Sequence, residues 1–300
     1  MISRMALDLS QFAAGLACPA QVAFQGGFAT FDQIITGSAV AAALVLLFLA
    51  VSKRNVFGWD PATLRSHAFE PVDLFFVATA YFFAASFVLL VFRALESEDL
   101  ATLQAILSGN AAQLAGGAAC LLLASLRFRG GVREFLIGRT VPAGIQMRDT
   151  VLILLLAVGL CPLVLAGTVE VITRVAPSAA LPTHSTLSAL DETTSPAVQW
   201  GLWLGAALVA PVCEELFFRG LLQTFLVKEL GSRTRAVLIA AMLFALVHLS
   251  VVQTLPALFL MGILLGVLYE RTGSLVAVIL VHSLFNIKTL VWHHFQSVVS

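Results

Sequence analysis

Charge is what this sequence has least of. Only 11% of its 300 residues are Asp, Glu, Lys or Arg, and 59% are hydrophobic. A soluble domain carries about a quarter charged residues, so the shortage excludes one and reads as an integral membrane protein. The 17 basic and 17 acidic residues cancel, which leaves no basic footprint for nucleic acid. Cysteine is scarce as well. Cys18, Cys120, Cys161 and Cys213 are scattered without CxxC spacing, which argues against a disulfide framework or a zinc finger and suits small apolar fillers of spans. The first 30 residues contain Arg4 and Asp8 but no compact apolar core with a small-residue cleavage site. They are expected to form an interfacial segment (1–32), not a removable signal peptide. There is no HExxH and no internal repeat.

What the chain does have is long charge-free runs. A spanning helix needs about 20 apolar residues. Charge-free runs of or near that length lie at 33–52, 74–92, 100–126 and 150–169; a fifth run, 193–227, is interrupted by Glu214, Glu215 and Arg219, and the last goes from Ser274 to about Trp292. The run 236–269 is expected to split into two short spans at Gln253 and Pro256. The expected fold class is therefore all-α, a polytopic transmembrane helical bundle of about eight spans.

Basic residues set the orientation. Lys53, Arg54 and Arg65, five arginines from Arg127 to Arg148, Lys228, Arg233 and Arg235, and Arg271 follow the odd-numbered spans. The opposite side holds only Arg4, Arg93, Arg174 and Lys288, beside acidic residues near Glu96. Both termini are expected outside, with the odd-to-even loops and the opening of the site on the cytoplasmic side. Short loops of this kind suit a bacterial inner membrane. A Pro/Ser/Thr-rich outside linker at 173–197 divides a first half without motifs (33–172) from a polar-loaded second half (198–292).

That second half contains PVCEELFFRG, Pro211 to Gly220. Glu214, Glu215 and Arg219 are the only charges between Glu192 and Lys228. A charge at the centre of a span costs about 2.5–3.5 kcal/mol on insertion scales, so these groups should face a cavity or each other. Glu215 and Arg219 stand one helical turn apart and can pair. Glu214 lies about 100° around the helix from Glu215 and stays free. Pro211 can kink the helix just before the pair.

His248, His282 and Asn286 are the partners within reach. Glu214 precedes Lys228 by 14 residues, His248 follows Arg235 by 13, and His282 follows Arg271 by 11. At 1.5 Å per residue all three lie roughly 16–21 Å from the basic boundary. Phe244 is four residues before His248 and can wall its ring from lipid. His282 and Asn286 share a helical face. The spacings Gly201–Gly205 and Gly262–Gly266 would allow close helix approach. His293 and His294 read as solvated interfacial residues, and Tyr269 with Arg271 as an interfacial anchor before a turn at Gly273.

A carboxylate with two imidazoles can activate water by general-base catalysis, with amide and imidazole donors to the oxyanion. The same Glu214, His248 and His282 also match a zinc site with an open position. Spacing alone leaves both mechanisms open.

The motifs EExxxR (Glu214, Glu215, Arg219), FxxxH (Phe244, His248) and HxxxN (His282, Asn286) together resemble the CAAX prenyl protease and bacteriocin-processing family of intramembrane endopeptidases, also called CPBP or Abi. The stretch from Gly262 through Tyr269 to Leu275 is similar to that family's lead-in to its last motif. The resemblance covers about 195–292. It implies Glu214 as activating base, His248 as its partner on the water, His282 and Asn286 as the oxyanion site, and Glu215 with Arg219 as a brace. It implies a membrane-associated protein or peptide as substrate, in the lipid bilayer, with zinc as the cofactor if there is one. Two other readings stand beside it: a non-catalytic membrane scaffold or immunity protein, and a proton-coupled transporter.

Overall fold

The computed structural model describes residues 69–94, 101–138, 141–179 and 181–299. The expected first span (33–52), the interfacial segment (1–32) and Cys18 lie outside them. The described residues form helices and no strand. In chain order these are α1 (Pro71–Ala94), α2 (Ala101–Arg127), α3 (Gly131–Ile137), α4 (Ala143–Val175) and α5 (Ser185–Glu192). A long helical rod, α6 (Pro196–Leu230), follows. Then come α7 (Arg233–Leu246), a 3-10 segment (Leu249–Thr254), α8 (Leu255–Thr272) and α9 (Leu275–Val299).

Six of these are long and apolar enough to cross a membrane: α1, α2, α4, α6, the 249–272 segment and α9. With 14 residues, α7 is about 21 Å long, short of the ~30 Å hydrocarbon core. The expected pair of short spans is thus a hairpin, α7 and α8, turning at 247–254. Pro256 sits in the first turn of α8, where its missing N–H is no loss.

The protein is an integral membrane protein with an inverted distribution of polarity. Large apolar side chains such as Phe75, Phe82 and Phe83 are exposed, whereas Asp149, Glu215, Arg219, Gln223 and His282 are buried. Lipid accepts the first group, and only other polar groups can accept the second.

Local sequence sets the turns. Gly231 and Gly273 adopt left-handed φ of 59° and 67° after α6 and α8, a conformation nearly free of cost only for glycine. Ser232 then caps α7, its hydroxyl accepting from Arg235 N–H at 3.4 Å.

The first half supports the second directly. Gly117 of α2 faces α6 so closely that a Cβ there would lie 2.9 Å from Cys213 Sγ. Phe135 of α3 is fully buried, packs edge-on with Phe69 and lies under Gly220. Asp149 of α4 accepts from Arg271 Nε at 2.8 Å and from Arg148 Nη2 at 2.8 Å, anchoring the α8–α9 turn. Two sequence expectations change here. Tyr269 is 2% exposed and is a core residue, not an interfacial anchor. A methyl placed on Gly201 would meet nothing within 4 Å, so only Gly205, against Asn110, is a close approach.

Candidate active site

The rod α6 is not regular. Residues Gly205–Val209 and Leu216–Gln223 are π-helical turns that bracket Ala210–Glu215. Pro211 has no N–H to give to the preceding turn, and the first π-turn absorbs that deficit without a sharp break. π-Turns shift side-chain register and concentrate at functional sites. The second one leaves backbone acceptors looking for donors; the Thr224 hydroxyl donates to the Arg219 carbonyl at 3.2 Å.

On this rod the two glutamates diverge. Glu215 is fully buried, as is Arg219, and Arg219 Nη1 donates to Glu215 Oε1 at 2.9 Å. Glu214 keeps 20% of its side-chain exposure, and its carboxylate accepts no hydrogen bond from the described residues. The i,i+4 pairing of Glu215, with Glu214 left over, is what the sequence indicates.

His282 joins this pair from α9. Its Nδ1 stands 2.8 Å from Glu215 Oε1 and its Nε2 3.9 Å from Glu214 Oε2. An ionised carboxylate only accepts, so Nδ1 carries the proton and Nε2 is the atom turned to Glu214. His248 is fixed from its own helix, with Nδ1 2.9 Å from the Phe244 carbonyl. A carbonyl also only accepts, so the neutral ring leaves Nε2 as a free base.

Phe244 does more than wall a ring from lipid. It is 1% exposed, with its ring 5.4 Å from His248 and 5.8 Å from His282. The Arg219 guanidinium carbon lies 4.7 Å from the same ring centre, within cation–π range. This one side chain packs against both imidazoles and the arginine. Asn286 donates Nδ2–H to the Ala206 carbonyl at 2.9 Å, binding α9 to the first π-turn and keeping a second N–H on the same nitrogen.

Buried polar groups continue beyond these motifs. Arg219 Nη2 donates to the Gly262 carbonyl at 3.1 Å. Gln223 Nε2 donates to the Gly266 carbonyl at 3.2 Å and to Glu270 at 2.8 Å. Glu215, Arg219 and Gln223 thus form one stripe at four-residue spacing, and the Gly262–Gly266 pair of α8 faces it. A Cβ on Gly262 would lie 2.8 Å from Ala241 Cα, and one on Gly266 2.8 Å from Gln223 Oε1. The small-residue spacing allows close approach, as expected, and also bares two carbonyls as acceptors. Gln223 and Glu270 escape a motif reading. Their only sequence signal is Gln223's place on the Glu215–Arg219 stripe.

Among the described residues, no three His, Cys, Asp or Glu side chains form a group that could hold a metal ion. His282 and His248 each direct Nδ1 to an internal acceptor, and the two Nε2 atoms and Glu214 are not arranged as a ligand set. The donors do not fit zinc. Cys120, Cys161 and Cys213 are buried free thiols. His293 is not simply solvated, since its Nε2 lies 2.9 Å from Asp191 of α5.

The site lies where the short α7–α8 hairpin ends. His248 follows the last turn of α7, at the end opposite Arg233 and Arg235, and the linker comes down on that end through Gln253 and Pro182.

Residues 196–288 match the family described as type II CAAX prenyl endopeptidase Rce1-like. All three motifs fall within the matched segment. Over that length the chain is similar to CAAX-type intramembrane proteases. No curated protein and no solved structure matches the chain.

Proposed function

We propose that the chain is an intramembrane endopeptidase of the CAAX-protease type, hydrolysing a peptide bond of a membrane-associated protein or peptide, with Glu214 activating the water. The observation that carries this reading is the unequal treatment of the two glutamates. Glu215 Oε1 is held by Arg219 and His282, whereas Glu214 accepts no hydrogen bond from the described residues and stands beside His282 Nε2.

The Glu214 carboxylate takes a proton from water as the water oxygen bonds to the scissile carbonyl carbon. His248, with Nε2 free, holds the same water. The charge that develops on the carbonyl oxygen meets the second N–H of Asn286 and, in its imidazolium form, Nε2–H of His282. Glu214 then delivers the proton to the leaving nitrogen. The C–N bond breaks, and an acid and an amine depart. Arg219 and Glu215 keep His282 in place, and Phe244 excludes lipid and water from behind.

The test compares new peptide termini in membranes carrying wild type or Glu214→Gln at matched levels. Termini that appear only with wild type establish hydrolysis and name the substrate. Identical termini, with both proteins folded, overturn the reading.

A further inference from the structure

The short helix α3 is fixed in the bundle by one side chain. Phe135 is fully buried, with its ring 5.4 Å from that of Phe128 and 6.2 Å from that of Phe69. Gly220 of α6 leaves the room it occupies, since a Cβ there would collide with the ring. Gly131 and Gly138, at φ of 58° and 56°, bend the chain at either end of α3. At 100° per residue, Arg133 and Ile137 fall together on the face opposite Phe135, and both are exposed. Arg129, four residues before Arg133, is exposed as well.

These two arginines differ from the other cations. Arg127 donates to Asp73 at 3.0 Å, Arg148 and Arg271 to Asp149, and Arg174 to Glu170. The other described lysines and arginines likewise have an acid, a carbonyl or an aromatic ring beside them. Arg129 and Arg133 have no partner among the described residues. Glu134, next in sequence, turns Oε2 to the Gly130 N–H at 2.7 Å.

The surroundings point to lipid as the missing partner. Leu122 and Leu126 stand one turn apart on the last turns of α2 and are exposed, so the lipid-facing side of that span runs up to Arg129. Guanidinium groups beside bare aliphatic side chains are the composition of a segment lying in the headgroup layer. The planar fork of N–H donors on arginine matches a phosphate, and anionic lipids attract exposed arginines near the membrane surface. We infer that α3 is an anionic-phospholipid site. Arg129 and Arg133 hold the headgroup phosphate, and the acyl chains lie along Leu122 and Leu126. The inference goes beyond the endopeptidase reading and does not depend on it. Because Phe135 joins α3 to α6 at Gly220, the bound lipid is also tied to the helix that carries Glu214.

The test titrates the full chain in detergent with phosphatidylglycerol or phosphatidylcholine and measures bound lipid by native mass spectrometry. Wild type should prefer phosphatidylglycerol by roughly tenfold to thirtyfold, as two surface arginines supply, and should melt at higher temperature with it. Arg129→Gln with Arg133→Gln should abolish both effects, and each single variant should weaken them several-fold. Melting of the double variant in phosphatidylcholine should match wild type, because both side chains are exposed and unpaired. Arg174→Gln, at the far end of α4, should keep the full preference. Inorganic phosphate at the same concentration should neither stabilise the protein nor displace the lipid. Equal retention of the two lipids by wild type, or an undiminished preference in the double variant, would overturn the site. Stabilisation by inorganic phosphate alone, or by an acidic peptide but not by phosphatidylglycerol, would also overturn it and assign the arginines to a soluble anion or a protein.

Discussion

His282 Nδ1 lies 2.8 Å from Oε1 of Glu215, the same oxygen that Arg219 Nη1 reaches at 2.9 Å. One carboxylate oxygen on α6 therefore fixes an imidazole from α9 and an arginine four residues ahead on its own helix. Glu215 Oε1 is thus engaged twice, and the proposed hydrolysis uses the neighbouring Glu214 instead.

Glu214→Gln and His248→Ala should each abolish measurable hydrolysis, since loss of a general base or its partner costs about 10²–10⁴-fold. Detergent thermal melts of Glu214→Gln should stay close to wild type, because among the described residues Glu214 makes no hydrogen bond that the amide would break. A fully active Glu214→Gln enzyme would remove Glu214 as the base.

Arg219→Ala should behave differently. It strands the buried Glu215 carboxylate, and breaking a buried pair from one side costs about 3–5 kcal/mol. Both the melting temperature and activity should fall. Equal melting curves for the variant and wild type would contradict the pairing.

Gly262→Ala and Gly201→Ala make a matched pair of glycine replacements in helices. The first places a methyl 2.8 Å from the Ala241 backbone and must separate α7 from α8, at about 1–3 kcal/mol for overpacking. It also shifts the carbonyl that Arg219 uses. The second meets open space and should be neutral or stabilise by roughly 0.5–1 kcal/mol through helix propensity. Thermal melts of the two proteins check the ordering.

Asp149→Asn tests how far the first half supports the second. Asp149 is 4% exposed and receives both Arg271 and Arg148. Weakening hydrogen bonds to a charged group should cost about 1.5–3 kcal/mol. Hydrogen exchange should rise at the α8–α9 turn near Gly273 before it rises elsewhere.

Metal removal supplies the last test. The donors do not form a zinc ligand set, so hydrolysis by a metal-free preparation should be unchanged by chelator. Loss of activity on chelation, restored by zinc alone, would contradict this.

Much of the fold was legible because a bilayer simplifies the problem. A span must be apolar for about 20 residues, so the apolar runs at 74–92 and 274–292 marked the spanning parts of α1 and α9 to within a few residues. The hairpin at Gln253 and Pro256 was legible from turn chemistry. The α3 segment was hidden in an arginine-rich loop, because seven residues that bury one Phe leave little periodic signal. Tyr269 was misplaced because amphipathic aromatics at span ends usually lie at the interface, and here α6 covers the ring.

In the site, sequence spacing decided what lies within one helix: the Glu215–Arg219 pair, the freedom of Glu214, and the Phe244–His248 relation. Those are local, fixed by 3.6 residues per turn. Which carboxylate holds His282, which carbonyls receive Arg219 and Gln223, and that the linker meets the segment after His248 through Pro182 and Gln253 were decided only by tertiary structure. Each joins residues between 43 and 71 positions apart, and helical periodicity carries no information on how one helix is rotated against another. That rotation is set by where Gly262 and Gly266 let two backbones meet.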